Sequence, residues 1–286
     1  MDAAGTPHSS QCLALLGATG HTGRLVLRNL LTSRNNQTEL HIYVRSREKL
    51  IALFPDILSD TRVTIFKGNI QDDGLMQRCL SGVDTIICTL GENENIPGIR
   101  VMQDFARSAL EALKSVKGNS SHWKPPRLIL LSSATWNKRF ADSRPAILHW
   151  MIQNAFAQSY EDLVKAQELL KASPSLLSIL LVQPNALVDE AASGCEISTE
   201  FAYMAVSYED LADGFVKLAS DPMYKDIDAV GVSSRSAENG LRYFPFIFTK
   251  VLRGLMFQFI PGYCRAEYAI FQWLRTLKEK SKNFAQ

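Results

Sequence analysis

Three glycines follow a short apolar run, in the segment Gly17-Ala18-Thr19-Gly20-His21-Thr22-Gly23. The run before them predicts a buried strand and the residues after them predict a helix, so the glycines occupy a strand-to-helix turn. Backbone N–H groups at the start of such a helix can bind the pyrophosphate of a dinucleotide. A tight turn without a ligand is the alternative. The residues predicted to bind the dinucleotide here are Gly17, Thr19, Gly20, His21, Thr22 and Gly23.

The second predicted strand ends at Val44 and is followed by Arg45-Ser46-Arg47. A site that prefers NAD usually has an acidic residue here, on the ribose 2'-hydroxyl. A guanidinium instead forms fixed, charge-assisted hydrogen bonds with phosphate oxygens. Arg45, supported by Arg47 or Lys49, therefore predicts NADP(H), and a solvated basic turn is the alternative.

Two more loops follow predicted strands. Gly68-Asn69-Ile70-Gln71-Asp72 comes after the third strand, and Leu90-Gly91 comes after the fourth. Ligands of open α/β sheets bind at the carboxyl ends of the strands. We therefore expect Asn69, Ile70, Leu90 and Gly91 to contact the cofactor, although ordinary loop roles are an equal alternative.

Short apolar runs alternate with longer amphipathic segments, which is typical of βαβ units in a parallel sheet. The runs that predict strands are 12–16, 40–44, 63–66, 85–90, 128–131 and 177–182. The segments that predict helices are 24–31, 73–80, 99–116, 160–171 and 208–219. The fold class predicted is α/β, a Rossmann-type doubly wound parallel sheet with a small C-terminal substrate-side lobe.

The composition is that of a globular protein, with 46% hydrophobic and 21% charged residues. A chain of 286 residues can form one domain, so we expect a single domain over 1–286, with 184–286 contributing the substrate-side lobe and the C-terminal segment. The net charge of +2 is too small to suggest a nucleic-acid partner.

The five cysteines form no pair at zinc-ligand spacing, which predicts reduced thiols, a cytoplasmic location and no metal site. Residues 1–11 lack the apolar core of a signal peptide. The apolar stretch 243–263 is interrupted by Lys250, Arg253 and Pro261, so no integral membrane span is expected.

The C-terminal segment 244–259 is rich in Phe, Leu and Ile, and Trp273 follows it. Core packing is the favoured interpretation. The segment could instead cap an apolar substrate pocket, form the interface of a homodimer, or rest on a membrane surface.

Together these residues resemble the NAD(P)H-binding, NmrA-like proteins of the atypical short-chain dehydrogenase/reductase group, over about residues 12–235. The resemblance implies an NADP(H) cofactor and a small-molecule substrate, with Pro184 and Asn185 bordering the nicotinamide and Ser132 near the cofactor. Members of the group include enzymes of secondary metabolism that act on aromatic polyketides. The resemblance rests on the glycine segment, Val44-Arg45, Gly68-Asn69-Ile70, Leu131-Ser132-Ser133-Ala134, Lys165-Ala166-Gln167-Glu168-Leu169-Leu170, Gln183-Pro184-Asn185 and Ser207-Tyr208-Glu209-Asp210-Leu211-Ala212.

In the wider superfamily a serine after the fifth strand acts with a Tyr-x-x-x-Lys pair on a later helix. By resemblance, Ser133 is the serine, and Lys165 is the lysine, which also binds ribose. The residue four positions before Lys165 is Glu161, however, and Tyr160 lies one position too early. One residue turns a helical side chain by about 100°, so Tyr160 and Lys165 do not share a face. Two assignments of the acid-base group are open: Tyr160, if the helix is locally distorted, or Glu161. The alternatives are ordinary packing for Tyr160 and a solvated helix face for Glu161.

Three functions are compatible with this sequence. The leading one is an NADP(H)-dependent reductase or dehydrogenase acting on a small apolar carbonyl or alcohol. The displaced tyrosine leaves open an isomerase or cyclase without net redox change. The NmrA-like resemblance also permits a non-enzymatic protein that senses NADP(H).

Overall fold

The computed structural model describes residues 11–33, 38–92, 94–141, 144–238, 240–263, 265–267, 269–270 and 272–273. In that part of the chain the strands are β1 (Gln11–Leu16), β2 (Thr38–Val44), β3 (Val63–Lys67), β4 (Thr85–Cys88), β5 (Arg127–Leu131), β6 (Ser178–Val182), β7 (Ala186–Val188), β8 (Cys195–Ser198), β9 (Ala205–Ser207) and β10 (Ala229–Ser234). The helices are α1 (His21–Thr32), α2 (Arg47–Leu53), α3 (Asp73–Leu80), α4 (Val101–Gly118), α5 (Lys138–Ala141), α6 (Ala146–Ala155), α7 (Ala157–Lys171), α8 (Tyr208–Ser220) and α9 (Phe244–Phe259).

Eight strands form one sheet in the order β3-β2-β1-β4-β5-β6-β10-β8, and β7 pairs with β9 in a small second sheet. Every pairing in the large sheet is parallel except that of β8 with β10. Leu15 of β1 pairs with Ile42 of β2 on one side and with Ile87 of β4 on the other. The direction of the strand order reverses between β1 and β4, which is the point where ligands bind in doubly wound sheets.

Helices cover both faces of the sheet. One face packs against α3, α4 and α7, with the fully buried Phe105 among the contacts. The other face packs against α1, α2 and α8, with Phe215 fully buried. A parallel sheet buried on both faces requires almost continuously apolar strands, which is the pattern that the sequence shows. The Rossmann-type α/β prediction is confirmed.

The sheet extends beyond the six strands that the sequence predicts. Strand β10 is buried throughout but consists of Ala, Val, Gly and Ser, so it has little apolar side-chain signal. Its Gly231 is needed for packing, since an added Cβ would lie 2.3 Å from the backbone oxygen of Phe201. The predicted strands match β1 to β6, and the predicted helix 73–80 has the bounds of α3.

Helices α6 and α9 and the β7–β9 pair lie outside the large sheet, where the substrate-side lobe is expected. Helix α6 precedes Pro184, and a lobe formed by 184–286 stays a prediction. At the crossing of α6 and α9, a Cβ on Gly254 would lie 2.2 Å from the backbone oxygen of Ala155. The buried Asn95 donates to Gln258 Oε1 (3.1 Å) and accepts from the backbone N–H of Gln158 (2.8 Å). These contacts fix α9 over the carboxyl edge of the sheet.

None of the helices within the described ranges has the length and apolar character needed to cross a bilayer. The outer face of α9 carries exposed apolar side chains such as Phe248 and Leu252, and Trp273 is also exposed. The homodimer expected as one use of this segment stays a prediction.

Candidate active site

The glycine turn joins β1 to α1 under tight steric limits. Gly17 has φ +92°, a left-handed conformation, and a Cβ there would lie 2.6 Å from Thr89 Oγ1. A Cβ on Gly23 would lie 2.1 Å from the backbone oxygen of Gly17. Gly20 caps α1 without a side-chain hydrogen bond, and the first turn of α1 has no acidic residue. The N–H groups at this helix end are thus left for an anion, and the turn fits a pyrophosphate.

The two arginines after β2 are exposed, and neither forms an ion pair with a carboxylate of the described residues. Ser46 Oγ accepts from the backbone N–H of Lys49 (3.1 Å), which starts α2 at Arg47. The adjacent Glu48 pairs with Lys67 instead (2.8 Å), and hydrogen bonds from Lys67, from its own backbone N–H and from Ser46 lower the pKa of Glu48 to about 2. The guanidinium groups of Arg45 and Arg47 remain available, and they fit an additional phosphate.

The loops after β3 and β4 lie on either side of the glycine turn. The hydroxyl of Tyr43 donates to the backbone oxygen of Asn69 (2.6 Å), which positions the loop, and the Asn69 side chain is exposed. Ile70 packs against the core below. Leu90 and Gly91 line a cavity beside β4.

That cavity has a volume of about 690 Å³ and lies between the carboxyl edge of the sheet and helices α6, α7 and α9. Phe244, Ile247 and Val251 of α9 contribute to its wall, so the C-terminal segment caps an apolar pocket as well as packing against α6. The His21 ring lies 5.4 Å from that of Tyr208, which lines the cavity and connects it to the glycine turn. The predicted site residues in its lining are Leu90, Gly91, Ser132, Ser133, Tyr160, Pro184 and Asn185.

Three hydroxyl groups converge on the cavity wall. Ser133 Oγ lies 3.3 Å from Tyr160 Oη and 3.2 Å from Thr135 Oγ1. Thr135 Oγ1 lies 3.2 Å from Tyr160 Oη. The rings of Trp136 and Phe156 contact the Tyr160 ring at 5.9 and 5.8 Å between centroids. Tyr160 therefore reaches the predicted serine without the Tyr-x-x-x-Lys spacing, and Thr135 is a member of the group that the sequence analysis missed.

The other two candidate catalytic residues lie elsewhere. Lys165 and Glu161 form an ion pair with each other, with side chains 52% and 56% exposed, and neither lines the cavity. The positions between them that line the cavity are Asp162 and Leu163. A role for Glu161 or Lys165 in proton transfer, and the ribose contact of Lys165, stay untested predictions that this arrangement does not support.

Ser132 is held from two sides rather than left free for a ligand. Gln167 Nε2 of α7 donates to Ser132 Oγ (3.1 Å), and Gln183 Nε2 approaches the same oxygen at 3.5 Å. The Gln183 side-chain oxygen accepts in turn from Asn137 (2.7 Å). This network fixes the end of β5, and with it the direction in which Ser133 points.

Arg144 is a cavity residue that the sequence analysis did not single out. It stands directly before Pro145 and the apolar helix α6, and a cation is unusual at the start of a helix. This position is the one feature of the sequence that could have indicated Arg144. Its guanidinium donates to Thr135 Oγ1 (3.4 Å) and to the side-chain oxygen of Asn185. Burial lowers the pKa of Arg144 below its usual range.

A group of possible metal ligands lies at the opposite edge of the sheet. Strand pairing brings Cys12, Glu39 and His41 together, with ligand atoms within 4.8 Å of one another. Burial raises the pKa of the Cys12 thiol to about 11, and His41 Nδ1 lies 2.6 Å from the backbone oxygen of Cys79. The cluster is remote from the cavity, and the expectation of no metal site stays a prediction.

A sequence model of the family described as NAD(P)H-binding matches residues 17–222, which include the glycine turn and every hydroxyl group of the cavity wall. The chain belongs to this NAD(P)H-binding family. A nicotinamide dinucleotide is accordingly the cofactor, and the glycine turn and the two free arginines are residues of the right kind to hold it. The family match by itself does not distinguish NADP from NAD.

The relatives of this family member include named oxidoreductases. Oxidoreductase stcQ of Emericella nidulans is 33% identical over 279 residues, 94% of this chain and 98% of the relative. Oxidoreductase aflX of Aspergillus parasiticus is 32% identical over 254 residues, 87% of this chain and 92% of the relative. Among solved structures, a short-chain dehydrogenase/reductase from Veillonella parvula in complex with NADP has a TM-score of 0.60 at 18% identity, covering 79% of this chain and 96% of that one. The similarity to this solved structure shows the fold alone.

Proposed function

We propose that this protein is an NADP(H)-dependent reductase or dehydrogenase that acts on a small, largely apolar carbonyl or alcohol substrate. The observation that carries the proposal is the 3.3 Å approach of Ser133 Oγ and Tyr160 Oη in the wall of the cavity. The names of the relatives, stcQ and aflX, support an oxidoreductase.

The hydroxyl groups suit the polarisation and protonation of a carbonyl oxygen. Ser133 donates a hydrogen bond to that oxygen, and Tyr160 transfers its proton to it as the alcohol forms. Thr135, within hydrogen-bond distance of both, positions the two groups. The hydride for the carbonyl carbon would come from NADPH held at the glycine turn, and solvent would return the proton to Tyr160.

Preference for NADP(H) is proposed from the end of β2. Arg45 and Arg47 are exposed there and are not neutralised by a described carboxylate. Glu48, which could repel a phosphate, is paired with Lys67. Two guanidinium groups beside the predicted adenosine ribose favour a 2'-phosphate over a 2'-hydroxyl.

The test uses NADPH that carries deuterium at its transferable position, with a panel of aryl ketones and apolar aldehydes. We expect consumption of the cofactor and a product alcohol with deuterium at the former carbonyl carbon. Substrate conversion without cofactor consumption would indicate an isomerase or cyclase instead. NADPH binding without any turnover of the panel would contradict a reductase and favour a sensor.

A further inference from the structure

A partly buried guanidinium, that of Arg144, faces the cavity beside the hydroxyl groups. Arg144 lines the wall, one hydroxyl group away from Tyr160, because its Nη1 donates to Thr135 Oγ1 and Thr135 Oγ1 contacts Tyr160 Oη. An arginine has five N–H donors, and these two side-chain acceptors, Thr135 and Asn185, satisfy only part of them. Within the described ranges, no carboxylate forms an ion pair with Arg144.

Hydrogen bonds of Asn185, which extend beyond the cavity wall, hold Arg144 in place. Its neighbour Asn185 donates through Nδ2 to the backbone oxygens of Ala202 (3.0 Å) and Tyr203 (2.7 Å), which fixes the direction of the amide oxygen that Arg144 contacts. A side chain held this way is preorganised for a ligand, since little rotamer freedom remains to be lost on binding.

Of the other charged groups of the wall, Arg253, Glu94 and Asp162 are already paired or hydrogen-bonded, whereas Lys250, Glu92 and Glu238 are exposed. Arg253 is paired with Glu94 (3.1 Å) and with Glu267 (2.9 Å). Asp162 accepts from the backbone N–H groups of Met102 (2.9 Å) and Gln103 (3.0 Å) at the start of α4. Arg144 therefore differs from Arg253 in having no described counter-charge.

Much of the remaining wall is apolar and aromatic, with Phe140, Phe156, Tyr203, Phe244 and Phe257 among its residues. A buried charge without a partner is costly, and the cost is recovered when an opposite charge completes the pair. The cavity thus combines a site for flat apolar groups with a partly buried cation that is held in place beside the hydroxyl groups.

On this basis, and resting on the function proposed above, we propose that the substrate is an apolar, ring-containing carbonyl compound that also carries an anionic oxygen, a carboxylate or an acidic phenolate. Arg144 binds this oxygen, which places the carbonyl group against Ser133 and Tyr160. Arg144 is then the residue that determines specificity among apolar carbonyl compounds.

The test measures ligand affinity, so it does not depend on turnover. Calorimetry on the protein saturated with NADP⁺ compares naphthoate with methyl naphthoate, and nitrophenolate with nitroanisole at a pH where the phenol is ionised. We expect each anion to bind about tenfold or more tightly than its neutral partner, as for charge-assisted hydrogen bonds. The two pairs distinguish a carboxylate from a phenolate as the preferred group.

Arg144→Gln should abolish this preference, and Arg144→Lys should retain part of it, because the charge remains but the planar fork is lost. The matched control is Arg139→Gln, since Arg139 lies nearby, is exposed, pairs with Asp228 (3.6 Å) and does not line the cavity. This control should keep the preference of the wild type.

The proposal is overturned if the wild-type protein binds the neutral partners as tightly as the anions. It is overturned equally if Arg144→Gln, shown by its thermal unfolding to be folded, keeps the preference. A failure of the reductase proposal looks different, since it would leave the anion preference intact while no carbonyl compound consumes NADPH.

Discussion

The hydroxyl oxygens of Ser133 and Tyr160 lie 3.3 Å apart, although the residues are separated by 27 positions and belong to different elements. Ser133 follows the end of β5, and Tyr160 lies in the first turn of α7. Their approach depends on how α7 packs over the carboxyl edge of the sheet. Reactivity at this site should therefore depend on the pair rather than on the exposed face of α7.

Tyr160→Phe should lower kcat for carbonyl reduction by about a hundredfold to ten-thousandfold, which is the usual effect of losing a general acid. The NADPH dissociation constant should change little, because Tyr160 faces the hydroxyl groups of Ser133 and Thr135. Steady-state kinetics and calorimetry on the same variant separate the two effects. A variant with wild-type kcat would exclude Tyr160 as the acid.

Glu161→Gln and Lys165→Met should retain kcat within about threefold of the wild type, because the pair is exposed and lies outside the cavity wall. An exposed i,i+4 ion pair also contributes only about 0.3–0.5 kcal/mol to stability. The measurement is kcat with the substrate used for Tyr160→Phe. A loss of kcat comparable with that of Tyr160→Phe would indicate that Lys165 has the role of the catalytic lysine of the superfamily.

Arg45→Ala should weaken NADPH binding by about tenfold to a hundredfold and leave NADH binding unchanged, since the guanidinium is proposed to contact the 2'-phosphate. Calorimetry with both nucleotides gives the ratio of the two affinities. Arg107→Ala is the control, because Arg107 is an exposed arginine on α4 that pairs with Asp104 (3.6 Å). Equal losses for NADPH and NADH would contradict phosphate recognition by Arg45.

Gly254→Ala should destabilise the protein by about 1–3 kcal/mol, the usual cost of overpacking. The added methyl group would lie 2.2 Å from the backbone oxygen of Ala155, so α6 and α9 would have to separate. Gly118→Ala, at the end of α4 with open space around the added Cβ, should be neutral or slightly stabilising. Urea unfolding of both variants measures the difference, and equal stabilities would contradict the tight crossing.

Asp210 should make folding sensitive to acid. Burial alone would raise the pKa of Asp210, but hydrogen bonds from Ser234, Ser207 and the backbone N–H groups of Ser193 and Gly194 lower it overall. The folded-state pKa is thus below the unfolded value near 3.8. The stabilisation is present above that value and is lost as the pH falls through the lower, folded-state pKa.

Asp210→Asn should therefore cost about 1–3 kcal/mol at neutral pH, the range for an impaired buried hydrogen-bond network. Its stability should also fall less steeply with acid than that of the wild type. The exposed Asp56→Asn serves as the control and should keep the wild-type pH profile. Denaturant unfolding between neutral pH and pH about 3 checks the prediction, and parallel profiles for all three proteins would disprove it.

Local sequence patterns were sufficient to predict the central fold and the cofactor turn. Six strands and five helices follow from apolar periodicity, because a residue's place on a strand or helix depends on its immediate neighbours. The role of Gly17 and Gly23 could also be predicted from neighbouring residues, since the tight turn they form lies within one strand-to-helix connection. The apolar segment 244–259 was also evident, and capping an apolar pocket was one of the roles open to it, but the residues that line the pocket could not be predicted.

The cavity depends on contacts between distant parts of the chain. Spacing along α7 argued against Tyr160 because its predicted partner was Lys165, whereas packing turns Tyr160 towards Ser133 and leaves Lys165 exposed. Arg144 is a lone arginine in the sequence and becomes a candidate only through its contacts with Thr135 and Asn185.

The amino-acid sequence by itself determined the central strands and helices and the glycine turn where we expect a dinucleotide to bind, because those properties arise from short-range periodicity and turn geometry. Only the tertiary structure decided which side chains share the cavity, since α6, α7 and α9 converge there through packing that no local pattern encodes. Arg144 and the hydroxyl groups beside it form one candidate site only because these helices pack together there.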